Sequence, residues 1–385
     1  MMQEILKNNK LLICVGAGGV GKTSMSATIG LQAALMGRKV LVLTIDPAKR
    51  LANSLGLKEF GNQETKIDLS AMGEVSGELW AMMLDGKKTF DELIDKLADN
   101  EQTKERILSN NIYRGITDTI VGNQEYMATE KLYDVVSSGR YDLIVLDTPP
   151  VKNALDFLDS PGRMARFVDK RIMKWFLSSK EKKRGFFNRI ISVTSSALFK
   201  LLGNIFGQDF LEDIAIFFIN FRDLYEGFQE RHSAVEQLFR NNDTAFLIVC
   251  APHKPALEVA DFFLNELQNR GMNMPGVIAN QCHVAKYDDL DPQKELSSIL
   301  EECSSDTKEH TASMLLARMK AAHRRLRNLA QEEQRLLSIL QSKFQRHQIM
   351  WRIPRFHGEV HDIFALKNVG DVLLNKSSQE EMCSF

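Results

Sequence analysis

Apolar positions in this chain cluster into five short runs, at residues 11–15, 39–45, 141–146, 245–250 and 276–280. Each has the length of a strand and lacks the strict alternation of a half-solvated one, which marks strands buried on both faces. Longer stretches with helical spacing lie between them, including 24–36 and 256–269. Strands alternating with helices predict an α/β fold, a doubly wound and mostly parallel sheet. In such sheets ligands bind outside the carboxyl ends of the strands. The residues closing each run, Asp46, Asp147 and Asn280, therefore face one crevice in this reading.

Two further stretches have helical spacing without alternating strands. Residues 163–240 are rich in aromatics, and Phe210, Ile214, Phe217 and Phe221 share one helical face. Ile216, Phe218 and Ile219 make the opposite face apolar too. This is either the core of a helical subdomain or a hydrophobic groove for an apolar helix. In residues 291–350, Leu315, Met319, Ala322, Leu326, Leu329, Leu336 and Leu340 recur at spacings of three and four, with Glu333 interrupting them. Arg318, Lys320, Arg324, Arg325 and Arg327 lie on the other face. An antiparallel helical hairpin is expected, with 292–303 as its shorter arm, its charged face either solvated or a docking surface. The resulting layout is a core at 1–162, a hydrophobic helical subdomain at 163–242 and a second core part at 243–290. A helical hairpin insertion at 291–350, a last core part at 351–376 and a flexible tail at 377–385 complete it.

Composition narrows the functional class. With 385 residues, 44% hydrophobic, 26% charged and a formal net charge of -1, the chain reads as an ordinary globular protein. That balance argues against a nucleic-acid binder driven by bulk charge. No apolar run has membrane-spanning length and no signal peptide is read in residues 1–15, so a cytoplasmic location without an integral membrane segment is expected. The five cysteines are scattered without a CxxC pair, which predicts reduced thiols and no structural zinc.

The strongest chemical signal follows the first run. Gly16-Ala17-Gly18-Gly19-Val20-Gly21-Lys22-Thr23 fits the phosphate-binding pattern G-x-x-x-x-G-K-[ST], between a strand and a helix as that pattern requires. Glycines let backbone N–H groups turn toward phosphate oxygens, and the helix N-terminus adds its positive dipole end. Gly16, Gly18, Gly19, Val20, Gly21, Lys22, Thr23 and Ser24 are thus the phosphate-side candidates. Lys22 would reach the β- and γ-phosphates and Thr23 would ligate Mg²⁺. Asp147 suits a carboxylate that reaches Mg²⁺ directly or through water. The Asp46-Pro47 pair is a helix cap or a catalytic group by spacing alone.

Taken in order, the Gly16–Thr23 loop, Thr44-Ile45-Asp46-Pro47-Ala48, Asp147-Thr148-Pro149-Pro150 and Val277-Ile278-Ala279-Asn280-Gln281 resemble the ArsA family. It comprises arsenite-pump ATPases and ATPases that target tail-anchored proteins, deviant P-loop NTPases related to MinD and ParA. The segment from Gly122 to Ala128 and the one from Ala154 to Pro161 resemble bacterial members. The resemblance implies an ATP-hydrolysing homodimer that closes on ATP and gates a hydrophobic surface for a helical client or membrane-protein partner. It implies that Asp46 orients the attacking water, Lys22 assists catalysis, Asp147 and Thr23 hold Mg²⁺, and Asn280 and Pro354 line the adenine. Two departures stand out. The family's second loop position is a lysine that reaches the partner's phosphates, and here it is Ala17. Another cation could replace it (Lys49, Arg50 and Lys152 are nearest in sequence to Asp46 and Asp147), or turnover is slow, or the protein is a nucleotide-gated binding module. The zinc-binding CxxC of the eukaryotic targeting ATPases is also missing. A MinD/ParA-like positioning switch is the alternative class.

Overall fold

A computed structural model describes residues 1–45, 51–52, 55, 62–98, 100–109, 124–148, 227, 230–231, 233–283, 308–356, 358, 360 and 362–375. Among them the strands are β1 (Leu11–Val15), β2 (Lys39–Thr44), β3 (Thr65–Lys66), β4 (Glu78–Met83), β5 (Leu143–Asp147), β6 (Thr244–Cys250), β7 (Gly276–Cys282) and β8 (Ile349–Pro354). The helices are α1 (Met2–Asn8), α2 (Lys22–Leu35), α3 (Gly86–Leu97), α4 (Glu101–Leu108), α5 (Gln124–Ser137), α6 (Lys254–Asn269), α7 (Lys308–Gln341) and α8 (Ile363–Leu373). One eight-stranded sheet runs in the order β3-β4-β2-β5-β1-β6-β7-β8. Every pair is parallel except β3 with β4 at one edge. The expected mostly parallel α/β architecture is what the chain adopts.

Alternation along each central strand feeds two cores. Leu12 and Cys14 of β1 face one side with Val40, Val42, Val145, Leu247 and Val249, where α1, α2 and α8 pack. Leu11, Ile13 and Val15 face the other, with Leu41, Leu43, Leu146, Phe246 and Ile248, under α5, α6 and the end of α7. Each fully buried side chain of this size contributes about 1.5–3 kcal/mol of transfer free energy. Cover on both faces is why these strands read as continuous apolar runs.

The chain leaves β1 toward β2 on one side and later adds β6, β7 and β8 on the other, so direction reverses at β1. The mouth of a doubly wound sheet opens at such a switch point. α2 rises there and is buried nearly all round, between the sheet and α8. At that crossing Gln32 Nε2 donates to the Lys367 carbonyl at 3.2 Å, and a Cβ on Gly370 would stand 2.1 Å from the same amide.

Three strands escaped the sequence pattern. β3 has only two residues, β4 alternates in burial near an edge, and β8 carries Arg352 on the opposite edge. Residues 1–10, which precede the first apolar run, contain α1, whose Met2, Ile5 and Leu6 are buried. α7 ends at Gln341 and β8 begins at Ile349, so the last residues of the expected helical insertion are a strand paired with β7. The hairpin arm at 292–303 and the Phe210–Phe221 face lie outside the described residues. No helix among the described residues is long and apolar enough to cross a membrane.

Candidate functional site

The loop between β1 and α2 is shaped by glycines, two of which, Gly16 and Gly21, leave no room for a Cβ. Gly16 has φ +152° and a Cβ there would come 2.0 Å from the Val249 carbonyl of β6. Gly21 caps α2 in the left-handed region, at φ 88°, and its Cβ would meet Asn280 Nδ2 at 2.3 Å. Gly19 is also left-handed, at φ 76°, while Gly18 and Gly19 form the exposed crest and Val20 is fully buried. Backbone approach this close is what a phosphate cradle needs.

Lys22 begins α2, is buried, and folds its Nζ back to donate to the Ala17 carbonyl at 2.8 Å. An ammonium lying along the loop is positioned to exchange that carbonyl for a phosphate oxygen. Thr23 and Ser24 follow in the first turn, both half-buried. Thr23 Oγ1 donates to Asp147 Oδ2 at 2.8 Å, and Thr44 Oγ1 donates to the same oxygen at 2.8 Å. Asp147, at the end of β5, is fully buried. Next to it the Thr148 hydroxyl donates to the Cys14 carbonyl at 2.8 Å, locking the strand end to β1. A buried carboxylate beside two hydroxyls is a hard-oxygen donor set, and it fits Mg²⁺.

The opposite wall comes from β7 and β8. Asn280 is buried and its Nδ2 donates to the Val20 carbonyl at 2.9 Å, joining strand to loop. Gln281 follows at φ 60° in a register irregularity between Ala279 and Cys282, so Asn280 and Gln281 leave the regular pleat. Half-buried Pro354 ends β8 in register with Cys282, and Arg355 N–H donates to the Cys282 carbonyl at 2.9 Å. The phosphate-side residues, Asp147 and Asn280 thus converge at one crevice, with Pro354 at the end of the adjoining strand. Asp46, Lys49, Arg50 and Lys152 lie outside the described residues.

Three groups were not foreseen. Thr44 and Thr148 flank the carboxylate. Glu333 of α7, nearly buried, takes His283 in a two-point clasp, accepting its backbone N–H at 2.8 Å and meeting Nδ1 at 2.7 Å. The signal for it was the one acid interrupting an apolar stripe. Burial pushes the Cys14, Cys250 and Cys282 thiols up to about 12, so these residues behave as inert core.

On α5, Glu130 Oε2 at 2.5 Å and Asp134 Oδ1 at 2.6 Å pair with Arg231, whose guanidinium lies 4.7 Å from the Tyr133 ring. Burial raises the Glu130 pKa against the pull of Arg231. Burial also acts on Asp134, but hydrogen bonds from Lys96 and Arg231 outweigh it and leave its pKa lowered.

Comparison with known proteins agrees with this geometry. Residues 9–298 match the family model described as anion-transporting ATPase. The ATPase GET3 of Malassezia globosa is 27% identical over 283 residues, 73% of this chain and 75% of that one. The ATPase GET3 of Kluyveromyces lactis is 26% identical over 299 residues, 74% of this chain and 75% of its own. That of Podospora anserina is 25% identical over 283 residues, 73% and 76% of the two chains. α7 and β8 lie beyond the last residue the family model matches.

Proposed function

The chain belongs to the anion-transporting ATPase family, and from that premise we propose that it binds and hydrolyses ATP as a homodimer. Nucleotide-driven closure then gates a hydrophobic helical surface for an apolar client helix or membrane-protein partner. The observation that carries the nucleotide half is the Thr23–Asp147 contact at 2.8 Å, between residues 124 apart in sequence. It joins the phosphate loop to the carboxylate at the end of β5, as nucleotide-dependent chemistry at this mouth needs.

In this reading the amides of residues 16–21 cradle the phosphates and Lys22 stabilises charge on the β- and γ-oxygens. Thr23 and Asp147 hold Mg²⁺, which supplies charge neutralisation at the phosphates when bound. Asp46 orients a water whose oxygen bonds to the γ-phosphorus as the bond to the ADP oxygen breaks. Asn280 and Pro354 line the base. The client surface would come from residues 163–242, coupled to the γ-phosphate through the nucleotide-driven closure.

Ala17 favours one narrower variant, a slow or non-hydrolysing nucleotide-gated binding module, because the second loop position carries no lysine to reach across the dimer. Phosphate release by the wild type, Thr23→Ala and Asp46→Asn separates the two. Turnover abolished by either substitution supports hydrolysis. A wild type that binds ATP without measurable release leaves only the binding module. Solution scattering with and without a non-hydrolysable ATP analogue tests closure, and an unchanged monomeric profile would overturn the dimer.

A further inference from the structure

α7 is 34 residues long, yet among residues 314–341, whose side chains are described, the buried positions Ala330, Glu333, Leu337 and Leu340 all lie in its final third. Residues 314–329 carry the helix roughly 24 Å past this root, at about 1.5 Å per residue. Along that arm Leu315, Leu326 and Leu329 are 41%, 38% and 43% exposed, and Ala322 is exposed as well. At about 100° per residue these four side chains fall within an arc of roughly 60°. Arg318 and Arg325 border one side of the arc, and Lys320, Arg324 and Arg327 lie toward the other. Residues 314–329 contain five Lys and Arg and no Asp or Glu, in a chain of net charge -1.

Charge and apolarity together select the occupant. A second copy of the arm would set like charges beside each other along the seam, which disfavours self-pairing. Nucleic acid would satisfy the cations and leave the leucines in water. An anionic lipid surface satisfies both, since the leucine arc sinks below the headgroups while the bordering side chains extend to the phosphates. We propose that residues 314–329 of α7 are a peripheral anchor for an anionic lipid surface. The Glu333–His283 clasp fixes the root three residues beyond Asn280, so the anchor has a set orientation relative to the crevice.

The test is sedimentation of the full chain with vesicles of phosphatidylglycerol and phosphatidylcholine against vesicles of phosphatidylcholine alone. Binding to the first only, weakened by added salt, is expected. The exposed substitutions R318E/R324E/R325E should lower partitioning by roughly 100-fold, at about fivefold per cation. L315S/L329S should lower it at unchanged charge. Circular dichroism and ATP affinity serve as fold controls for both variants. No binding by the wild type, equal binding to both vesicle types, or a triple variant that sediments like the wild type overturns the proposal. A wild type that ignores vesicles while the triple variant alone loses self-association does so too, by assigning the arm to a second copy.

Discussion

α2 and α7 both begin with a lysine, yet they end in opposite situations. α2 is enclosed from Met25 to Ala34 between the sheet and α8. α7 is held at its root and exposes Leu315, Leu326 and Leu329 beyond it. In sequence α7 has the clearer amphipathic period and α2 is the more uniform, so a strong stripe of apolar positions did not indicate deep burial. A helix that presents a phosphate loop is fixed along its whole length, because its first turn must not move relative to β1 and β5. A helix that reaches outward needs only a root.

Four measurements would break or sharpen that contrast. Leu31→Ala in α2 should cost about 2–5 kcal/mol of unfolding free energy in urea, since the site is fully enclosed and cannot collapse. Glu333→Ala at the root of α7 should cost about 1–3 kcal/mol by leaving the His283 N–H without its acceptor. A loss as large as that of Leu31→Ala would mean that the arm too is part of the core.

The third uses pH. Cys14 lies beneath α2, and Cys250 and Cys282 lie on the face where α7 is rooted. Their folded pKa values are raised from 9.0 to about 12 by burial, so above pH 9 the unfolded chain has lost protons that the native one keeps. Stability therefore falls as pH rises through that window, by about 1.4 kcal/mol per unit per thiol. Cys14→Ala and Cys282→Ala should each flatten the slope between pH 9 and 10, and equal flattening would show the two faces equally dry. The smallest effect belongs to Leu329→Ala, expected to change stability by less than about 0.5 kcal/mol. A larger loss in a thermal melt would reveal a contact along the arm.

What was legible in the sequence follows from the same physics. β1, β2, β5, β6 and β7 were read to within two residues at either end, because strands covered on both faces are apolar throughout. β4 and β8 were missed because strands near sheet edges mix exposed and buried positions, and α1 because three buried side chains in seven are too few to form a pattern. That the Gly16–Thr23 loop joins β1 to α2 and Asp147 ends β5 was legible, because the phosphate-binding pattern fixes residue types at set spacing between a strand and a helix. Thr44 and the Glu333–His283 clasp were not, since each partner is ordinary alone and pairing spans 103 and 50 residues respectively. Asp46, on which the catalytic reading leans, lies outside the described residues.

The amide of Asn280 is engaged by the Val20 carbonyl at 2.9 Å. With the base placed against Asn280 as proposed, one side-chain amide serves both the loop, through one Nδ2 hydrogen, and the incoming adenine. Choice of base and grip on phosphate then become terms of a single equilibrium. Tripolyphosphate engages only the loop side of that amide and adenosine only the strand side, so neither fragment samples the arrangement that whole ATP imposes. Their separate affinities would not multiply to that of ATP, and the discrepancy measures how strongly the two walls of the crevice pull on one another.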